Sequence, residues 1–197
     1  MANTGGFIAH LVKLIVMILC IKYLGDAYTT LTLRAYQIYI IHSIIGLFRF
    51  GSNGGIIVKR SFRKFYDIFS NIVEIIPFAI LSNEISCKCH VDDLLRQSLL
   101  LILTTLPIVY EIMPKKERQM TKKLLNHTIN LQLLIILFVC LNNGSFSCIN
   151  FILAYVFNRY FVETLCDSFD IPYDDLSQYS LSFVAIFSLT TLKELTN

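Results

Sequence analysis

Seven apolar runs follow one another along the chain with little polar sequence between them. They cover roughly Phe7–Leu24, Leu31–Phe50, Phe65–Ile85, Leu94–Met113, Leu124–Leu141, Phe146–Leu165 and Tyr179–Leu195. Crossing a hydrocarbon core about 30 Å thick takes about 20 helical residues, a length most of these runs reach with their flanks. In lipid every backbone N–H and C=O must pair within the protein, so runs of this kind fold as helices rather than as open strands. The third run is interrupted by Glu74 and Pro77, and the last carries several Ser and Thr. The expected fold is all-α: a polytopic membrane helix bundle with six or seven transmembrane helices and short links. Residues 1–197 then form a single multi-pass transmembrane domain.

Composition agrees. Charged residues make up 16% of the chain, against about 25% in soluble domains, so a water-exposed surface is under-supplied. Mean hydropathy is +0.61, which excludes a disordered chain. The net charge of +3 is mild and the basic residues fall in clumps. No basic stripe with stacking aromatics lies outside the apolar runs, so nucleic acid is not an expected partner. The expected partners are the lipid bilayer and other membrane proteins, in an endomembrane or the plasma membrane.

Orientation follows from Lys and Arg in the links. Arg49, Lys59, Arg60, Arg63 and Lys64 flank the second link, and Lys115, Lys116, Arg118, Lys122 and Lys123 fill the fourth. The positive-inside rule places both links in the cytoplasm, with the N-terminus inside. The intervening links carry Lys88 alone or no charge. The link Cys166–Tyr179 should also be cytoplasmic, yet it holds Asp167, Asp170, Asp174 and Asp175 without a Lys or Arg. Acidic residues weigh little in the rule. Their spacing does not match an EF-hand loop, so a solvated loop is preferred to a calcium site. Lys13, Leu14–Ile21 and Gly25-Asp26-Ala27 have the outline of a signal peptide, but the charge arrives late and apolar residues begin at Phe7. Cleavage is therefore disfavoured.

Glu74 is the residue that most needs explaining. A carboxylate at the middle of a spanning segment costs several kcal/mol unless it meets a partner or water. His42 is its expected partner. It lies eight residues before Phe50, Glu74 lies nine after Phe65, and the two helices are consecutive and antiparallel. Such a pair could relay protons, bind a cation or simply clasp two helices. Lys13 and Arg159 each lie about two turns from a cytoplasmic end, where a long side chain can snorkel. Glu163, four residues beyond Arg159, is a local partner on the same helical face. Asn126 and His127 read as interfacial, Asn130 and Gln132 as interhelical hydrogen-bonders.

Cys87-Lys88-Cys89-His90 invites a metal reading, but zinc sites pair ligands at C-x₂₋₄-C and need a second pair. No metal or other cofactor is expected. Cys148 falls at the same non-cytoplasmic end as Cys87 and Cys89, so a disulfide to either is the alternative to free thiols. Gly51-Ser52-Asn53-Gly54-Gly55 lacks the Gly-Lys-Ser/Thr ending of a phosphate loop. The sequons at Asn126 and Asn143 lie in a cytoplasmic segment and a very short link. No nucleophile elbow, paired carboxylates or HExxH occurs, so catalysis has no positive sign. The chain reads as a non-enzymatic integral membrane protein, a small membrane subunit or organising partner. The alternative is a channel or secondary transporter for a small ion or solute using Glu74 and His42. An intramembrane enzyme is the third reading, because those two residues could do acid–base work.

Overall fold

The computed structural model describes residues 4–25, 29–51, 60–114 and 116–196. Apolar periodicity and short links give helix after helix: α1 (Thr4–Lys22), α2 (Thr30–Gly51), α3 (Arg60–Lys88), α4 (Asp93–Ile112) and α5 (Arg118–Asn143). The chain continues through α6 (Phe146–Val156), a π-helical turn over Phe157–Phe161, α7 (Val162–Phe169) and α8 (Tyr173–Glu194). Among the described residues there is no strand. The protein is an all-helical bundle.

Helix ends sit where the sequence supplies caps. Asp92 accepts a hydrogen bond from the Leu95 amide (3.1 Å) and starts α4, and Ser145 accepts from the Cys148 amide (3.3 Å) at the start of α6. These side chains satisfy amides that the first helical turn leaves unpaired. Between α5 and α6 the chain reverses at Gly144, whose φ of 66° suits glycine, while Ser145 N–H closes back on Cys140 C=O at 3.1 Å. That is the six-to-one bond of a Schellman termination. Asp174 and Asp175 fall in the first turn of α8, where negative charge complements the helix dipole.

Among the described residues five helices are long and apolar enough to cross a membrane: Thr4–Tyr23, Thr30–Gly51, Arg60–Lys88, Asp93–Ile112 and Arg118–Asn143. α3 qualifies despite Glu74 and Pro77, running unbroken for 29 residues. The sixth run is divided by the π turn. α8 is long at 22 residues, but it spends its small polar side chains inward. Ser177, Gln178, Ser180, Ser182, Ser188 and Thr191 are all buried, against α1 and α6.

The core lies along the bundle axis, where α3 and α6 meet ring on ring. Phe78 stacks on Tyr155 with centroids 3.6 Å apart and on Phe151 at 5.8 Å. Apolar side chains on the opposite faces, such as Leu101, Leu134, Phe138 and Leu153, are exposed.

The helices alternate in direction, so the two basic links share one end. Asn71, near the start of α3, donates to Glu111 at the end of α4 (2.8 Å), and Arg118 at the start of α5 lies 4.0 Å from the same carboxylate. Lys59, Lys115 and most of the Gly51–Gly55 turn, as well as Asp26 and Ala27, lie outside the described residues. At the opposite end Lys88 donates to Thr196 (2.7 Å) and the Ser147 amide donates to Glu194 (3.3 Å).

That opposite end corrects the expected disulfide. Cys148 pairs with Cys140, not with Cys87 or Cys89, across the α5–α6 turn with Cα atoms 5.9 Å apart. The tight reversal at Gly144 brings the last turn of α5 against the first turn of α6, well within disulfide reach. Cys87 and Cys89 are free. Partial burial raises the Cys89 thiol above its ordinary pKa. Among the described residues no group of His, Cys, Asp and Glu is placed to hold a metal ion.

Candidate functional site

Two polar regions lie inside the bundle, and neither contains the expected Glu74–His42 pair. The depth argument counted from Phe50 and Phe65, but the helices run from Thr30 to Gly51 and from Arg60 to Lys88. Nine residues back from Gly51 is His42, and nine on from Arg60 is Phe69, one residue from Ser70. His42 accordingly meets Ser70 (2.8 Å). Glu74 lies one turn further along α3.

The first region is closed. Lys13 of α1 is fully buried rather than snorkelling to an interface. Its Nζ lies 2.6 Å from His42 Nδ1 and donates to Gln178 Oε1 of α8. An imidazole that accepts at Nδ1 carries its proton on Nε2, which then donates to Ser70 Oγ. His10 Nε2 is hydrogen-bonded to the Tyr66 hydroxyl (2.7 Å), and the two imidazole rings meet edge to face at 5.2 Å. His10 fits because position 46 is glycine: a Cβ there would stand 2.3 Å from the ring. Arg49 covers Tyr66, its guanidinium 4.2 Å from the ring centroid, and pairs with Asp67. Four helices are thus joined by polar bonds, of which those of Lys13 and His10 are buried and the Arg49–Asp67 pair at the edge is exposed.

The second region is open. A cavity of about 540 Å³ enters the bundle at the end where the basic links lie, between α3, α4, α5 and α7. Its volume falls within the range of small-molecule sites. Glu74 and Arg159 meet at its inner end, with Nη1 donating to Oε1 at 3.1 Å. Their side chains are 14% and 17% exposed, so the pair is neither dry nor fully solvated. Nη2 of the same guanidinium donates to Asn126 Oδ1 (2.9 Å). Glu74 lies three residues beyond Asn71 on α3, about one helical turn inward of the level at which α4 ends. Lys122, Glu163 and Asp167 line the cavity and are exposed.

The π turn aims Arg159. Its wider ring is closed by the Val162 amide on the Phe157 carbonyl, and such single turns recur at functional sites. Arg159 and Tyr160 are adjacent in sequence, yet both reach α5. Tyr160 donates to Asn130 (2.5 Å), one helical turn beyond Asn126. The i,i+4 spacing that would pair Arg159 with Glu163 presumes α-helical winding. Within the π turn that spacing fails, and Arg159 bonds Glu74 instead. Of the other polar residues on α5, Gln132 is buried with its Oε1 unpaired among the described residues, and His127 is exposed.

Sequence reasoning singled out Glu74, Arg159 and Asn126 but did not join them. It missed Asn71, Glu111 and Tyr160 altogether. A signal for the last existed: Tyr160 follows an arginine in an apolar run, and Asn126 and Asn130 share a helical face.

Compared with protein-family models, curated proteins and solved structures, the chain shows no match.

Proposed function

We propose that this chain is a multi-pass integral membrane protein of non-enzymatic type that takes a small polar solute from its basic end. The solute-binding step belongs to transport or to channel-like conduction. The observation that carries the reading is the cavity reaching Glu74 and Arg159. An ionisable pair in a membrane-length helix is costly unless it serves a path or a partner, and here it meets a space that opens outward. Five membrane-length apolar helices support residence in a bilayer. The positive-inside rule sets the cavity mouth, beside Lys122, on the cytoplasmic side. The Cys140–Cys148 pair at the other end is in keeping with an oxidising compartment there.

His42 leaves the proposed path, because both of its ring nitrogens are engaged in the closed region. The reading as a subunit draws on α4, where only Leu99, Leu103 and Pro107 are buried. Lipid covers such a face as well as a partner does, so it is the weaker reading.

Thiol accessibility in sealed vesicles tests the proposal. In a variant with Cys20, Cys87, Cys89 and Cys166 replaced by Ala, a membrane-impermeant thiol reagent should reach Asn126→Cys. It should do so only from the side that labels Arg63→Cys, and not from the side that labels Lys88→Cys. An Asn126→Cys that stays unlabelled while Arg63→Cys reacts, or that reacts from the Lys88 side alone, sinks the reading.

A further inference from the structure

Which solute the cavity takes is written in the valences its inner pair leaves unused. Glu74 spends Oε1 on Arg159, and its Oε2 receives no donor among the described residues. Arg159 spends Nη1 on Glu74 and Nη2 on Asn126. A guanidinium has five N–H donors, so three remain. One acceptor of negative charge and several donors of positive charge therefore stand side by side at the end of one cavity, about 3.1 Å apart at their point of contact.

Each simple class of solute satisfies only half of this. A lone organic cation gains Glu74 but meets the Arg159 guanidinium at close range, and a lone anion meets the opposite repulsion. Both lose the benefit of a charge-assisted hydrogen bond on one side. A bare divalent cation needs several oxygen ligands, and among the described residues no three His, Cys, Asp or Glu side chains converge. A zwitterion with its ammonium and carboxylate one carbon apart satisfies both partners together. The rest of the lining carries both signs too, Lys122 on α5 against Glu111 on α4 and Glu163 and Asp167 on α7. Glu111 is engaged by Asn71 and lies 4.0 Å from Arg118, while Lys122, Glu163 and Asp167 have no ion pair among the described residues. The lining therefore does not exclude either end of such a molecule.

We propose that the cavity binds a small zwitterion of the α-amino-acid class, its ammonium on Glu74 Oε2 and its carboxylate on the free N–H groups of Arg159. The proposal rests on the solute-binding reading above and gives that site its ligand. Asn126 is a positioning residue: it holds the guanidinium from the α5 side through Nη2. The cavity volume leaves room for a side chain toward the rim.

Calorimetry on the purified full chain in lipid nanodiscs tests it, with each of the twenty L-amino acids as probe. For any that binds, its decarboxylated amine and its deaminated acid are the controls. At least one amino acid should bind, with each half-charged analogue weaker by about tenfold or more, since one charge-assisted bond is lost and its partner left unpaired. Glu74→Gln and Arg159→Gln should each weaken the amino acid to a similar degree, with folding checked by thermal melting. If Arg159→Gln does not fold, the analogue series on the native chain decides alone. An amine that binds as tightly as its amino acid overturns the zwitterion and leaves the solute-binding reading intact. Binding that neither substitution weakens places the ligand elsewhere and overturns it too. If no amino acid binds, the zwitterion falls, and labelling of Asn126→Cys shows separately whether the cavity reading falls with it.

Discussion

The closed Lys13–His42 region and the open Glu74–Arg159 region both place ionisable and polar side chains inside one bundle, about one turn of α3 apart. In the first, buried Lys13 bonds His42 and Gln178 and buried His10 bonds Tyr66, with His10 Nδ1 left without a hydrogen-bond partner among the described residues. In the second, a carboxylate and a guanidinium share one bond and face a cavity. The difference lies in whether the polar groups are sealed among helices, with most valences spent there, or face a cavity. Spent valences hold helices in register, whereas unspent ones facing a cavity are available to a ligand. Substitutions in the closed region should therefore act on folding, and those in the open region on binding.

The largest test of that division is His42→Leu. It leaves the buried Lys13 Nζ with one partner in place of two and Ser70 with none from the imidazole. Stability should fall by about 3 kcal/mol, read as a lower unfolding midpoint in detergent. A His42→Leu protein as stable as the parent would mean that water already reaches Lys13, and the two regions would no longer differ.

Cys140→Ala is a control remote from both regions. Opening the eight-residue separation between Cys140 and Cys148 should cost about 2–3 kcal/mol by the chain-entropy relation. The same loss should follow reduction with dithiothreitol, and solute binding should not change. A shift in binding affinity would show that the far end of the bundle shapes the cavity.

Gly46→Ala comes next. The added methyl would collide with the His10 ring, and overpacking of this kind costs about 1–3 kcal/mol. Combining it with His10→Ala should recover most of the loss, because the methyl then fills space the ring vacates. Failure of that rescue would mean that α1 and α2 are held apart by something other than His10.

Glu74→Gln should have the smallest effect on folding, under about 1 kcal/mol. The amide oxygen still accepts from Arg159, Asn126 still holds the guanidinium, and the cavity gives water access to the charge left behind. Thermal melting checks this beside the binding assay. A Glu74→Gln chain that melts as low as His42→Leu would make Glu74 a structural residue, and the contrast between the regions would fail.

Sequence reading located the polar residues better than it joined them. Glu74, His42, Lys13, Arg159 and Asn126 stand out because charged and amide groups are rare in apolar runs. Their partners were misassigned for separable reasons. α3 begins at Arg60, within what reads as a charged link, and that start moves the register of α2 against α3 by a turn. Arg159 escapes its i,i+4 neighbour because the helix there is wound as a π turn, which no residue at 157–161 announces. Cys140 was passed over as one more apolar position in α5. Gln178, the second partner of Lys13, is 165 residues away in sequence, and nothing local to either connects them.

What the sequence determined by itself is the helical class, the order of the helices and the end of the bundle that carries its basic links. These follow from local properties: hydrophobic run length, capping residues and the distribution of Lys and Arg. Only the tertiary structure decided that α8 turns its serines inward, that Lys13 is sealed and that Glu74 faces a cavity. Those outcomes depend on rotation and register between helices distant in the chain. A change of one helical turn leaves every local signal in place and alters which polar groups meet.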